Sequence, residues 1–168
     1  MQHPELVKSL FVFEPGLATF VTDAVDAKVV ADDGNAMGAP AIAASKAGDD
    51  VEALRLFIDG VNDQPGTFGG LPSLMRSMFT DNARTIPLEL AAPPPPTITC
   101  VQLAQIRVPV AIVRGELTRP YFRIIADTAS RCIPGSRLVV LPKARHLAPE
   151  QDPSAFNETL IDFLKGLN

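Results

Sequence analysis

Val108-Pro109-Val110-Ala111-Ile112-Val113, a stretch opening at Pro120, and Leu138-Val139-Val140-Leu141 together decide the fold. The two outer runs are continuously apolar, which suits strands covered on both faces of a parallel sheet. Pro109 sits near the start of its strand, where a missing N–H is tolerated. Between them, Phe122, Ile125, Ala126, Ala129 and Ile133 recur at helical spacing until Pro134-Gly135 stops the helix. Beyond the second run, Asp152 is placed to cap a helix with Pro153 at its first position. The expected buried face of that helix is Phe156, Leu160, Phe163, Leu164 and Leu167. Strand, helix, strand, loop and helix in this order predict an α/β fold, with a βαβ unit on a parallel sheet.

Working outward, Leu10-Phe11-Val12-Phe13 is a further apolar run, ended by Glu14-Pro15-Gly16. It predicts another strand, and His3-Pro4-Glu5-Leu6-Val7 before it reads as a helix end or turn. The region from Leu17 to Pro96 shows no convincing strand. Asp49 or Asp50 can cap a helix with apolar residues at Val51, Leu54, Phe57, Ile58 and Val61, and Pro65-Gly66 breaks the chain. A second helix is expected after Pro72, using Leu74, Met75, Met78 and Phe79. Pro93 to Pro96 reads as a stiff connector. The expected organisation is therefore 1–16, a core strand segment; 17–96, helices and connector; and 97–168, an α/β core.

The 168 residues suffice for one compact domain, and a net charge of −4 argues against a nucleic-acid partner. No apolar run approaches the length of a membrane span, and Met1 to Val7 does not read as a signal peptide. Cys100 and Cys132 are too few for a disulfide framework and too isolated for a zinc site. They are expected to be free, mostly buried thiols in a reducing cytoplasm.

Only two histidines are present. His146 follows the strand ending at Leu141, on the loop Pro142-Lys143-Ala144-Arg145-His146-Leu147. Active sites of open parallel sheets form at the carboxyl ends of the strands, so His146 is the candidate general base. Its plain alternative is a surface loop histidine without a task, which is the reading for His3. Glu116, in Val113-Arg114-Gly115-Glu116-Leu117-Thr118, is an acid at a strand's carboxyl end and a candidate to orient the imidazole. The alternative is a solvated loop glutamate. A Gly-x-Ser-x-Gly elbow, which would expose a nucleophile, is absent from the sequence. Ser73 reads as a helix-start residue. Gly34-Asn35-Ala36-Met37-Gly38 is not a phosphate cradle. Cys100 precedes a strand, which argues against a nucleophile role.

Taken together, these segments resemble the α/β-hydrolase family. His3-Pro4-Glu5-Leu6-Val7 with the run to Glu14-Pro15-Gly16 looks like the segment after the family's nucleophile helix. Thr99 to Gly115 is similar to the stretch leading into the penultimate strand, and Ile133-Pro134-Gly135 through His146 to the last strand and catalytic-histidine loop. Phe156 to Leu164 resembles the closing helix. The resemblance covers roughly 1–16 and 97–168, and it implies that the intervening helices are the cap. It further implies the C-terminal part of the family's parallel sheet, with flanking helices and a helical cap insertion. The nucleophile-bearing part would then be missing.

Two departures stand out. The family's usual aspartate position, three residues after the strand's glycine, is Thr118 here, so the acid is Glu116 or comes from elsewhere, such as Asp81. Without a nucleophile, His146 has no hydroxyl to activate, and the chain alone is expected to be inactive. The implied activity is ester or related acyl-bond hydrolysis by a Ser-His-acid mechanism, with no metal or organic cofactor, and the many apolar side chains of the cap segment suggest a small hydrophobic substrate. An unpaired strand at Leu10–Phe13 predicts a homo-oligomer or a partner chain over that edge. The competing readings are a non-catalytic binding or assembly module and a broken reading frame.

Overall fold

The computed structural model describes residues 3–167. Its three strands are β1 (Leu10–Phe13), β2 (Val110–Gly115) and β3 (Arg137–Leu141), in the order β1-β2-β3. Both pairings are parallel, with Leu10 opposite Val110 and Val113 opposite Val139. Its helices are α1 (Ala24–Lys46), α2 (Asp50–Val61), α3 (Thr67–Gly70), α4 (Ser73–Asp81), α5 (Ile86–Leu90), α6 (Cys100–Leu103), α7 (Pro120–Cys132), α8 (Ala148–Gln151) and α9 (Pro153–Lys165). His3 to Val7, expected as a helix end or turn, holds a short 3-10 turn at Pro4–Leu6.

Alternating side chains send the sheet's apolar residues to two faces. On one face Val110 and Ile112 are buried with Ile124, Ile125, Ala126 and Ala129 of α7, and Leu10 and Val12 pack against them. On the other, Ala111, Val113 and Leu141 are buried with Phe163 of α9, beside Phe11, Phe13 and Phe156. Phe156 meets Phe11 and Phe13 edge-on, at ring-centroid distances of 5.8 and 5.2 Å. Covering both faces explains why β2 reads as a continuous apolar run. It does not bury the outer strands equally: all four residues of β1 remain half-buried, and Leu138 and Val140 of β3 are exposed. Among the described residues each of these strands has one neighbour, so the exposure lies at the sheet's two edges.

The expected face of α7 is buried throughout, from Phe122 to Ile133. For α9 the start is as read, Asp152 accepting the Ala155 N–H at 3.1 Å. Its face is narrower than the spacing suggests, because Leu164 and Leu167 are exposed.

The molecule divides into two compact units, with the boundary inside α1. The sheet unit comprises the chain up to Val30 and from Pro96 onward; the second comprises Ala31–Pro95. Residues 17–30 thus belong with the sheet, Phe20, Val21 and Val30 joining the cluster under α7. In the second unit Asp49 caps α2 as expected, accepting the Glu52 N–H at 2.9 Å. Buried Asp59 pins the turn that follows, accepting Gly66 N–H and Phe68 N–H at 2.9 Å each. Helix α4 starts at Ser73 as expected but buries none of its residues.

The cysteines correct the sequence reading. Cys100 and Cys132 are joined in a disulfide, with Cα atoms 5.0 Å apart. The start of α6 and the end of α7 meet there, so two residues 32 positions apart in sequence become neighbours. Neither cysteine is a free thiol, so neither points to a reducing compartment.

One glycine fixes how the sheet meets the loop that follows β3. A Cβ on Gly115 would lie 2.3 Å from the Ala144 carbonyl oxygen and 2.7 Å from its carbon. The close approach is held by Leu117 N–H donating to Ala144 O and Glu116 N–H donating to Leu141 O, both at 2.9 Å. Backbone, not a flexible side chain, occupies the space, so accommodation requires the loop to move.

Two measurements test this packing. Gly115→Ala is expected to lower the urea unfolding free energy by at least about 1–3 kcal/mol; an unchanged midpoint would contradict the close approach. Reducing the disulfide is expected to destabilise the chain by about 2–4 kcal/mol, read as a lower melting temperature with reductant. A reactive thiol in the unreduced, denatured chain would contradict the pairing.

Candidate functional site

The carboxyl ends of all three strands meet around one buried carboxylate. Glu14 is the first residue after β1, and its side chain is fully buried. Its Oε2 lies 2.6 Å from Nδ1 of His146, whose side chain is 25% exposed. Gly115 N–H, at the end of β2, donates to Oε1 at 2.8 Å, and the buried Thr118 hydroxyl donates to Oε2 at 2.9 Å. A buried carboxylate left without donors would cost several kcal/mol, so these bonds are what make the burial tolerable.

The backbone is bent to reach this arrangement. Glu14 has φ 41° and Lys143 has φ 57°, both in the left-handed region that side chains disfavour. Each follows closely on a strand end, β1 for Glu14 and β3 for Lys143. Such a conformation costs on the order of 1 kcal/mol or more per residue and persists where surrounding contacts dictate it. For Glu14 those contacts include its own N–H on Val113 O, at 2.8 Å.

The imidazole plane is set by aromatic neighbours. Phe122 of α7 stacks on His146 with centroids 4.0 Å apart and planes 14° from parallel. Phe13 of β1 lies 6.2 Å away with its ring inclined by 27°. With Nδ1 turned to Glu14 and the ring held in plane, Nε2 is the nitrogen left to exchange a proton with a reacting group. A carboxylate on Nδ1 selects the tautomer that carries hydrogen there and supports the imidazolium formed when Nε2 takes a proton.

Of the residues read from sequence, His146 therefore stands at the strand ends in contact with an acid, but that acid is not the expected one. The Glu116 carboxylate accepts the Lys143 N–H at 2.8 Å. Position 116 runs alongside the end of β3, so its side chain anchors the histidine loop rather than facing the ring. Asp81, the other acid considered, ends α4. Ser73 begins α4, consistent with a helix-start residue, and His3 lies exposed beside Glu5 at 3.2 Å. Glu14 was missed because Glu14-Pro15-Gly16 reads as a turn. Applying the same rule to every strand, an acid at the carboxyl end, would have placed it beside Glu116 as a candidate.

No family model matches the chain, and no curated protein sequence does either. Solved structures do. The carboxylesterase CesB (YbfK) of Bacillus subtilis is 22% identical with a TM-score of 0.65, over 98% of this chain and 54% of that one. The bromoperoxidase of Bacillus anthracis is 16% identical with a TM-score of 0.64, over 94% and 58%. An α/β hydrolase of Sphaerobacter thermophilus is 22% identical with a TM-score of 0.54, again over 94% and 58%. The chain spans little more than half the length of each of these proteins. At such identities the likeness concerns the fold, which agrees with the parallel sheet, its flanking helices and a histidine loop leaving the last strand: the chain carries part of the α/β-hydrolase fold.

Proposed function

We propose that this chain supplies the acid–base part of a Ser-His-acid hydrolase acting on an ester or related acyl bond. The observation that carries the reading is the 2.6 Å contact between His146 Nδ1 and the buried Glu14. In this scheme Nε2 of His146 accepts the proton of an attacking hydroxyl. It then returns that proton to the leaving group. Glu14 holds the tautomer and offsets the charge of the imidazolium, the role first considered for Glu116. The hydroxyl comes from outside these 168 residues, which contain no Gly-x-Ser-x-Gly elbow. Residues 17–96 correspond to the cap segment of the α/β-hydrolase family, and 31–95 of them form the second compact unit. The substrate is a small, hydrophobic ester-like molecule, a choice supported by the apolar side chains of that region.

The open edge of β1 supports the same reading, since a further strand there would end beside the carboxyl end of β1, where Glu14 meets His146. It also favours a second reading, a binding or assembly module that uses the edge without catalysis. Either way, the chain is expected to form a dimer or a complex over β1. A monodisperse monomer at micromolar concentration by light scattering would count against both.

The readings separate when the chain is joined to, or co-expressed with, a complementary α/β segment bearing the serine elbow. Hydrolysis of a short activated ester is expected to appear, and to fall at least about 10³-fold in His146→Ala. Glu14→Gln is expected to reduce it strongly, while Glu116→Gln leaves it within a few-fold. Partner binding that is tight, catalytically silent and indifferent to His146→Ala would favour the module. His146-dependent turnover by the chain alone would overturn the external nucleophile.

A further inference from the structure

We infer that Thr118 is a positioning residue for the Glu14–His146 pair, an inference that rests on the acid–base reading above. A glutamate's terminal torsion is broad and roughly two-fold, so nothing in the side chain itself fixes the carboxylate plane. Gly115 N–H anchors only Oε1. Turning about that anchor would carry Oε2 away from the imidazole. The Thr118 hydroxyl prevents this by holding Oε2, the same oxygen that faces Nδ1, at 2.9 Å.

The placement of Thr118 suits that task. It is buried and belongs to the short segment between β2 and α7. Its β-branched side chain has restricted χ1 freedom, so the hydroxyl is aimed before the carboxylate arrives. The segment from Gly115 to Phe122 thus makes three contacts with the pair. It gives an amide to Oε1, a hydroxyl to Oε2 and an aromatic face to the imidazole. Carboxylate and ring are aligned by one stretch of chain, although they arise from β1 and the loop after β3.

The proton on Nδ1 provides the test, because a short, sheltered hydrogen bond to a carboxylate gives a far-downfield proton resonance that needs no substrate. The spectrum is recorded on the full chain, with His3→Gln assigning the signal to His146. The resonance is expected in the parent chain and is expected to vanish in Glu14→Gln. Thr118→Val keeps the shape and removes the donor, and should move the signal upfield or lose it to solvent exchange. Thr118→Ser restores the hydroxyl and should restore the signal. If the Thr118→Val substitution impairs folding by circular dichroism, Thr118→Ala against Thr118→Ser makes the same comparison. An unaltered resonance in the variants lacking the hydroxyl overturns the role of Thr118 while leaving the pair intact. Absence of any Glu14-dependent resonance in the folded parent overturns the pair, and the positioning role with it.

Discussion

A carboxylate placed where water cannot reach it governs this structure. Once Glu14 is buried at the end of β1, donors must be brought to it, and each comes from a distant part of the chain. Gly115 N–H and the Thr118 hydroxyl arrive from 101 and 104 residues away, and His146 from 132. Several local features follow from that demand. The backbone at Glu14 turns left-handed, and Gly115 has no side chain to obstruct the loop after β3. Glu116 ties that loop down through Lys143 N–H. The site and the register of the sheet are consequently one problem. Parallel pairing of β1 with β2 and of β2 with β3 aligns the three carboxyl ends from which these groups project.

The same sheet that gathers the site is narrow. Helices cover both of its faces, yet β1 keeps residues half-buried because one of its edges has no strand beside it among the described residues. Related solved folds extend well beyond the portion that this chain matches. An apolar parallel edge beside an aligned imidazole is a place where added structure would bury further apolar surface.

Much of the sheet unit can be read from sequence because its signals are local. Apolar runs mark β1, β2 and β3; spacing and Pro120 mark α7; Asp152-Pro153 marks the start of α9. Helix α1 is not legible in this way. Gly34, Gly38 and Pro40 interrupt it, and its small apolar residues form no single stripe, so tertiary packing decides it instead. Close approach does that work in part, since a Cβ on Gly60 of α2 would lie 2.7 Å from the Met37 carbonyl oxygen of α1. His146 is legible from its place after a strand. Its partner is not, because choosing between Glu14 and Glu116 depends on which carboxylate the folded loops turn inward. The disulfide is hidden for a similar reason: spacing alone does not show that α6 begins where α7 ends.

The central claim is that Glu14, and not Glu116, holds the imidazole of His146. Nitrogen-15 spectroscopy of the histidine ring at neutral pH tests it most directly, because the two ring nitrogens report which one carries hydrogen. The account requires the neutral ring of His146 to carry its hydrogen on Nδ1, and this preference for Nδ1 to disappear in Glu14→Gln but persist in Glu116→Gln. A neutral ring with its hydrogen on Nε2 rather than Nδ1 in the parent chain, or a preference that follows Glu116 instead, would contradict it.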